Sequence, residues 1–307
     1  MAGTTGTSQI NDAVERFLAE SRYTMQENPG VVKSSIRRER LPENAGPAVN
    51  IPKYGQVTTY ALTEGVDMAQ AQQITDTGMT ITPAEYGAQV VLTDLMLMTV
   101  RDEFFKVAGK ILGDSFDRQQ DQTLCDDMDN FSLALGSAGT ALALGHVMAA
   151  HASVKYNAPA NGTAGRGGEP APDPITLIHT PAALHSLRKS LVGHVAGAVT
   201  LATGNTPAST PDSPNMANAG MTIDVIPGLT VKSDINFNKD TSDDVKGGLL
   251  SKEAMILVEL GPGASVEKER DASLRGWELN FVGRWARGEY NNGWGREMLF
   301  DSALPTS

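Results

Sequence analysis

Hydrophobic positions in the first half of the chain change period twice. Ile10, Val14, Phe17, Leu18 and Met25 recur at helical spacing behind Asn11 or Asp12 as a cap, and Asn28-Pro29-Gly30 closes this short helix. Further on the period drops to two: Val57, Thr59 and Ala61 alternate with Gln56, Thr58 and Tyr60. The pattern predicts two strands, one within residues 46–65 and one over 79–92, joined by the polar tip TEGVDMAQAQQITDTG. Met79, Ile81 and Pro83 begin the return strand, where a proline suits an edge. Neither face of this arm is strongly apolar. A long two-stranded arm without a core is marginal in water, so it must lie on another surface, and a second copy of the chain is the simplest one.

The helical period then returns. Thr93-Asp94 marks a start, and Val100, Phe104, Val107, Ile111 and Phe116 form a stripe. A helix from Thr99 to Asn130 would be about 45–50 Å long at 1.5 Å per residue. It carries most of the nine acidic residues between positions 94 and 129, opposed by Arg101, Lys106, Lys110 and Arg118. Gly109 and Gly113 suit either a hinge or close packing.

Beyond Ser137-Ala138-Gly139, a short helix is expected near LGHVMAAHASV. Residues 157–174 and 193–220 read as small, turn-rich loops. Between them ITLIHT reads as a buried strand and PAALHSLRKSL as a helix with Pro181 in its first turn. Strands follow near MTIDVIPG and LTVKSDINF, and from Leu249 the chain is strand-rich: AMILVEL, SVEKERDA, WELNFVGRWARGEY and REMLF.

Composition narrows the function. A chain of 307 residues with 40% hydrophobic residues and 31 glycines can bury a globular core. A net charge of −11 disfavours bulk electrostatic binding of nucleic acid, which needs lysine and arginine to displace counterions. One cysteine, Cys125, excludes an intramolecular disulfide. No apolar run suggests a membrane span or a secretory signal. The basic segment VVKSSIRRER, with Lys33, Arg37, Arg38 and Arg40 against Glu39, reads as a solvated strand or linker; the alternative is an electrostatic docking site for an acidic neighbour.

No catalytic or metal-binding motif stands out. His146, His151, His179, His185 and His194 lack metal-ligand spacing. Asp126, Asp127 and Asp129 with Asn130 lack the glycine that a calcium loop needs at its sixth position, where Ser132 stands, and read as a solvated helix end. GTAGRGG does not join a strand to a helix in the dinucleotide manner, and carboxylates around Cys125 disfavour a reactive thiolate. No catalytic residue, cofactor or metal ligand is nominated.

The order of parts resembles the Hong Kong 97-type capsid fold of tailed-bacteriophage major capsid proteins, an α+β fold. The similarity is carried by Leu62-Thr63-Glu64-Gly65, by Tyr86-Gly87 with Leu92-Thr93-Asp94, by Ile178-His179-Thr180-Pro181 with Leu187-Arg188-Lys189, and by Val266-Glu267-Lys268-Glu269-Arg270-Asp271. The resemblance implies an N-terminal arm at 1–44, an extended β-hairpin (E-loop) at 45–92, and a P domain with the spine helix at 93–150. It implies an A domain at 151–235, P-domain strands at 236–288, and a strand returning to the A domain at 289–307. The implied function is a structural, non-enzymatic one: self-assembly as hexamers and pentamers into an icosahedral shell around double-stranded DNA, in the virion, assembled in the host cytoplasm. Implied partners are other copies of the chain, a separate scaffolding protein and a portal, with DNA enclosed but not specifically bound, and no membrane. The expected intersubunit contacts are Arg37, Arg38, Arg40, Tyr60, Glu64, Gly65 and Asp67. The chain opens at Met1 without a long charged scaffolding segment. Lys53, the one lysine within 46–92, sits at the hairpin base, so no Lys–Asn crosslink is expected. The alternatives are an encapsulin-like nanocompartment shell, a tail or tube subunit, and a soluble α/β enzyme with a hairpin arm.

Overall fold

The alternation expected over residues 79–92 is present but divided between two pairings. In a computed structural model, β2 (Val49–Ile51) pairs antiparallel with β3 (Met79–Ile81), whereas β4 (Ala84–Thr93) leaves the hairpin and pairs with β10 (Gly276–Glu289). The structure describes residues 30–41, 48–54, 57, 59–68, 71–74, 76, 78–99, 102–156, 169–200 and 228–305. The expected helix at 10–28, the strand near MTIDVIPG, Val100 and most of both glycine-rich loops lie outside these residues.

One sheet has the order β1-β9-β10-β4, with β1 (Arg37–Leu41) parallel to β9 (Met255–Asp271). AMILVEL and SVEKERDA, expected as separate strands, are one strand of 17 residues. β4 alternates as period two requires: Tyr86, Ala88, Val90 and Leu92 turn toward the core, and Glu85, Gln89 and Val91 turn out. β10 answers with Leu279, Phe281 and Trp285.

The other sheet has the order β5-β11-β8-β6-β7. It is made of β5 (Ala134–Gly136), β6 (Ile175–His179), β7 (Leu229–Ser233), β8 (Asp244–Ser251) and β11 (Gly295–Asp301). β6 is buried along its whole length, as a central strand of continuous apolar character should be. β8 runs through Gly247, where a Cβ would meet the His179 ring and lie 2.7 Å from the carbonyl oxygen of Ile178, so the bare backbone sets how closely β6 and β8 pack. The helices α3 (Leu144–Tyr156) and α4 (Pro181–Thr200) flank this sheet. Residues 193–200, expected as loop, belong to α4: alanine and valine there continue the helix despite the glycines.

α1 (Asp94–Thr99) and α2 (Asp102–Asp127) follow β4, and a 3₁₀ turn (Met128–Asn130) ends the run. At 26 residues α2 is about 39 Å long. Its buried stripe is Leu112, Phe116, Leu124 and Cys125, continued by Met128 in the 3₁₀ turn; of the stripe expected from the sequence it keeps Phe116, while Val107 and Ile111 are 55% and 63% exposed. Gly109 and Gly113 lie on the buried side, as close packing would require. Phe116 meets Phe281 edge-on with centroids 4.5 Å apart, and Tyr86 stacks on Trp285 at 4.0 Å. This aromatic group fastens the helix to the first sheet.

The first part of the basic segment is in the core, while Arg38 and Arg40 stay exposed. Residues 31–35 form a turn against α2 before β1 begins, with Val32, Lys33 and Ile36 buried. Asp121 Oδ1 accepts from the backbone N–H groups of Val32 (2.9 Å) and Lys33 (3.3 Å). Lys33 Nζ donates to Gln120 and Asp117 and pairs with Glu259. The acidic helix thus finds counter-charge within its own chain.

Candidate assembly surface

The hairpin is rooted firmly and reaches outward. Val49, Ile51 and Ile81 pack with Ile256, Val258 and Ala286 in a satellite core, and Tyr290 donates its hydroxyl to the Pro52 carbonyl at 3.3 Å. Past the single bridge between Tyr54 and Asp76, no ladder continues among the described residues. The expected long two-stranded arm is therefore a short hairpin base carrying an extended loop. Its backbone polar groups stay in water, where an unpaired ladder costs little, while β-pairing of so polar a segment would gain little apolar burial.

That loop exposes side chains that a monomer has no use for. Val57, Tyr60, Leu62, Val66, Met68 and Ile74 are each more than half exposed. Several of them line a cleft of about 730 Å³ on the loop itself, together with Asp67 and Gln72. The tip is a turn closed by Val66 N–H donating to Thr63 C=O at 3.2 Å, with Gly65 at φ 80°. Only glycine adopts that conformation without strain, which fixes Glu64 and Gly65 at the turn.

A second exposed apolar surface lies on the helices that leave the sheet. Leu95 and Met98 on α1 and Val107 and Ile111 on α2 face solvent, Met98 at 80%. Asp94, at the start of α1, is held by a bidentate pair with Arg270 at 2.8 and 2.9 Å, and this hydrogen bonding keeps its carboxyl below the usual range. Exposed apolar groups concentrated in this way mark interaction sites.

Of the residues expected to contact neighbours, Tyr60, Glu64, Gly65 and Asp67 come together on the loop. Arg37, Arg38 and Arg40 lie apart on β1. Arg37 is half-buried, paired with Glu39 and Glu253 and placed 5.3 Å over the Tyr290 ring, and Arg40 reaches Glu259 at 3.4 Å. Arg38 is exposed. Leu62, Val66, Met68, Leu95 and Met98 are not among the contacts expected from the sequence. Their signal was present as apolar residues in segments too polar to form a core.

Buried polar groups elsewhere are structural in their surroundings. The Tyr86–Trp285 pair, Arg287 and Glu289 border a cleft of about 500 Å³, but Arg287 is bonded to Asp127 at 2.6 Å and Glu289 to Asn292 at 2.6 Å. Arg296 is fully buried without a carboxylate: it donates to Ser153 Oγ, to the Ser153 carbonyl near the end of α3, and to the carbonyls of Gly293 and Gly295. A helix C-terminus suits a cation there. Asp126 and Asp129 are exposed as expected of a solvated helix end, but Asp129 pairs with Lys246 and Asp127 with Arg287. Asp121, Cys125 and Asp234 form a buried cluster. Burial together with Asp121 pushes the Asp234 carboxyl up to about 7, and burial raises the Cys125 thiol far above its ordinary value.

Comparison of the fold with solved structures gives matches that extend over most of the chain. The head structure of Helicobacter pylori bacteriophage KHP40 matches with a TM-score of 0.66 at 10% identity, covering 86% of this chain and 88% of that one. The chain has the Hong Kong 97-type capsid fold. The acid-stable capsid structure of Helicobacter pylori bacteriophage KHP30 matches with a TM-score of 0.62 at 9% identity, covering 89% of each chain. A structure from Mycobacterium phage Che8 matches with a TM-score of 0.56 at 17% identity over 85% of this chain and 86% of that one. No protein-family model and no curated protein matches the sequence. At such identities the likeness shows the fold alone. No helix among the described residues is long and apolar enough to cross a membrane.

Proposed function

We propose that this chain is the shell subunit of a phage-type capsid, assembling as hexamers and pentamers into an icosahedral particle that encloses double-stranded DNA. The observation that carries the reading is the loop between β2 and β3, rooted in the sheet at both ends and lined with apolar side chains that its own chain leaves uncovered. In a Hong Kong 97-type subunit this segment corresponds to the E-loop, α2 to the spine helix, and the sheet containing β6 and β8 to the A domain, which moves β8 (Asp244–Ser251) out of the P-domain strands expected at 236–288. The N-terminal arm would then be anchored by residues 31–41 on the subunit's own P-domain sheet. Many weak loop contacts repeated around a closed shell reinforce one another. The net charge of −11 fits a wall that holds DNA without gripping it. The role is structural, the location is the virion, and a scaffolding protein and a portal are the expected assembly partners.

The capsid reading is favoured over a cellular nanocompartment because the neighbouring structures include phage heads and capsids and the capsid of a GTA particle. Negative-stain microscopy of the purified chain, alone and with its scaffolding partner, tests it. Uniform closed particles containing DNA after packaging support the proposal. Particles filled with an enzyme cargo, open tubes, or a persistent monomer under assembly conditions would each overturn it.

A further inference from the structure

We propose that Asp121, Cys125 and Asp234 form a binding site for a divalent cation of the zinc class, which would clip the long helix to the end of the second sheet. Their ligand atoms all lie within 4.8 Å of one another, and all three residues are buried. The centre of such a triangle is within about 2.8 Å of each atom, against roughly 2.0–2.3 Å for zinc bonds to carboxylate and thiolate, so small side-chain movements would bring three ligands into range, with water as the fourth.

The placement follows from the fold. Asp121 and Cys125 are four residues apart on α2 and share one face. Asp234 arrives just after β7 and is 4% exposed. One Asp234 oxygen accepts from Asn236 N–H at 2.9 Å; Oδ2 meets no donor, and the Asp234 carboxyl lies against the Asp121 carboxyl, a contact that holds only with a proton or a cation between them. A buried carboxylate oxygen left bare, on a side chain turned toward another carboxylate and a thiol, is the feature that asks for a cation. Asp121 is already oriented: Oδ1 is held by the N–H groups of Val32 and Lys33, and Oδ2 accepts from Asn236 Nδ2 at 3.2 Å. Such outer contacts fix a metal ligand without consuming all its lone pairs. The neighbouring cation Lys232 spends its hydrogen bonds on Ser34 and Ser35 instead.

One thiol with two carboxylates selects the metal class. Calcium and magnesium need six or more oxygen ligands, and this cluster offers two carboxylates and a thiol. Zinc, cobalt and cadmium accept mixed sulfur and oxygen ligands in low coordination. The rival occupant is a single proton shared by Asp121 and Asp234.

The test uses the full chain expressed with supplemental zinc, desalted, and measured by elemental analysis, followed by cobalt substitution and absorption spectroscopy. One zinc per chain and a thiolate-to-cobalt charge-transfer band are expected. Cys125→Ser should abolish the band and Asp234→Asn the retained metal, while Asp126→Asn, at an exposed carboxylate on the same helix, should leave both unchanged. If a variant fails to fold, the wild-type spectrum decides alone, because Cys125 is the single cysteine. No retained metal, no thiolate band, or equal retention in Asp234→Asn would overturn the site and leave the shared proton in its place.

Discussion

Lys33 Nζ lies 3.4 Å from Asp117 Oδ1, and the two side chains are only 6% and 8% exposed. Glu259 closes the group at 3.3 Å from the same ammonium. Burial still outweighs the lysine at Asp117, whose carboxyl is pushed up to about 6. Lys33→Met would leave Asp117 buried without a counter-charge and Glu259 with the exposed Arg40 in place of the buried lysine, and should cost roughly 3–5 kcal/mol in urea unfolding. Asp117→Asn should cost less, since that group gains little from being charged. Equal losses would contradict this account.

The loop and its base separate assembly from folding. Replacing residues 58–74 by a short glycine-serine linker should leave the thermal unfolding midpoint of the subunit almost unchanged and abolish closed particles in the microscope. Extending the deletion through Ile81 should also lower the midpoint, because Met79 and Ile81 belong to the satellite core. A large loss of subunit stability from the shorter deletion would place the loop in the monomer's own core.

The two faces of α2 predict opposite phenotypes. Phe116→Ala should destabilise the subunit by about 3–5 kcal/mol, the usual cost of removing a packed core aromatic. Ile111→Ala should change stability by less than about 0.5 kcal/mol, as expected for an exposed position, yet slow or weaken particle formation followed by light scattering. A stability loss at Ile111 comparable with that at Phe116 would argue against the assignment of faces.

His179 sets a pH dependence. Burial lowers its pKa to about 4, partly offset by its hydrogen bond to the Met298 carbonyl. Between about 4 and 6.5 the unfolded chain therefore binds the extra proton and the native one does not. The stability contribution is fully present above pH 6.5 and is lost as pH falls toward 4, by on the order of 3 kcal/mol. Asp117 works in the opposite sense, since its raised pKa makes the native state the stronger proton binder between about 4 and 6. Subtracting the urea midpoints of His179→Gln from those of the wild type, pH by pH, isolates the histidine. A flat difference across pH 4–6.5 would show that His179 is not buried as neutral imidazole.

Much of the fold could be read because period and packing agree. ITLIHT, the helix after Pro181, and the start at Asp94 stand where their patterns put them. The misreadings have physical causes. Periodicity points Val107 and Ile111 inward because it ranks apolar residues above glycine and aspartate. The true buried face uses Gly113, Asp117, Gln120 and Asp121, whose burial depends on Lys33 and the backbone of residues 32–33, far away in sequence. β8 was largely overlooked because Gly247 and Gly248 dilute its strand character, although its close packing with β6 demands the glycine at 247. The loop was legible as needing a partner, but its loss of strand pairing beyond Tyr54 was not, since alternation in sequence does not guarantee a ladder. The Asp121–Cys125–Asp234 cluster joins residues more than a hundred positions apart, and no spacing rule could have found it.

β4 is the segment through which the loop returns to the body, and its register with β10 runs from Ala84 opposite Trp285 to Thr93 opposite Gly276. A pull on the loop acts along this strand and loads its hydrogen bonds together, in shear, instead of opening them one at a time. The strand continues directly into α1 at Asp94, where the Arg270 pair sits. Tension that a neighbouring subunit or an internal pressure put on the loop would therefore be borne by the whole width of the sheet, which makes β4 the tendon of the subunit.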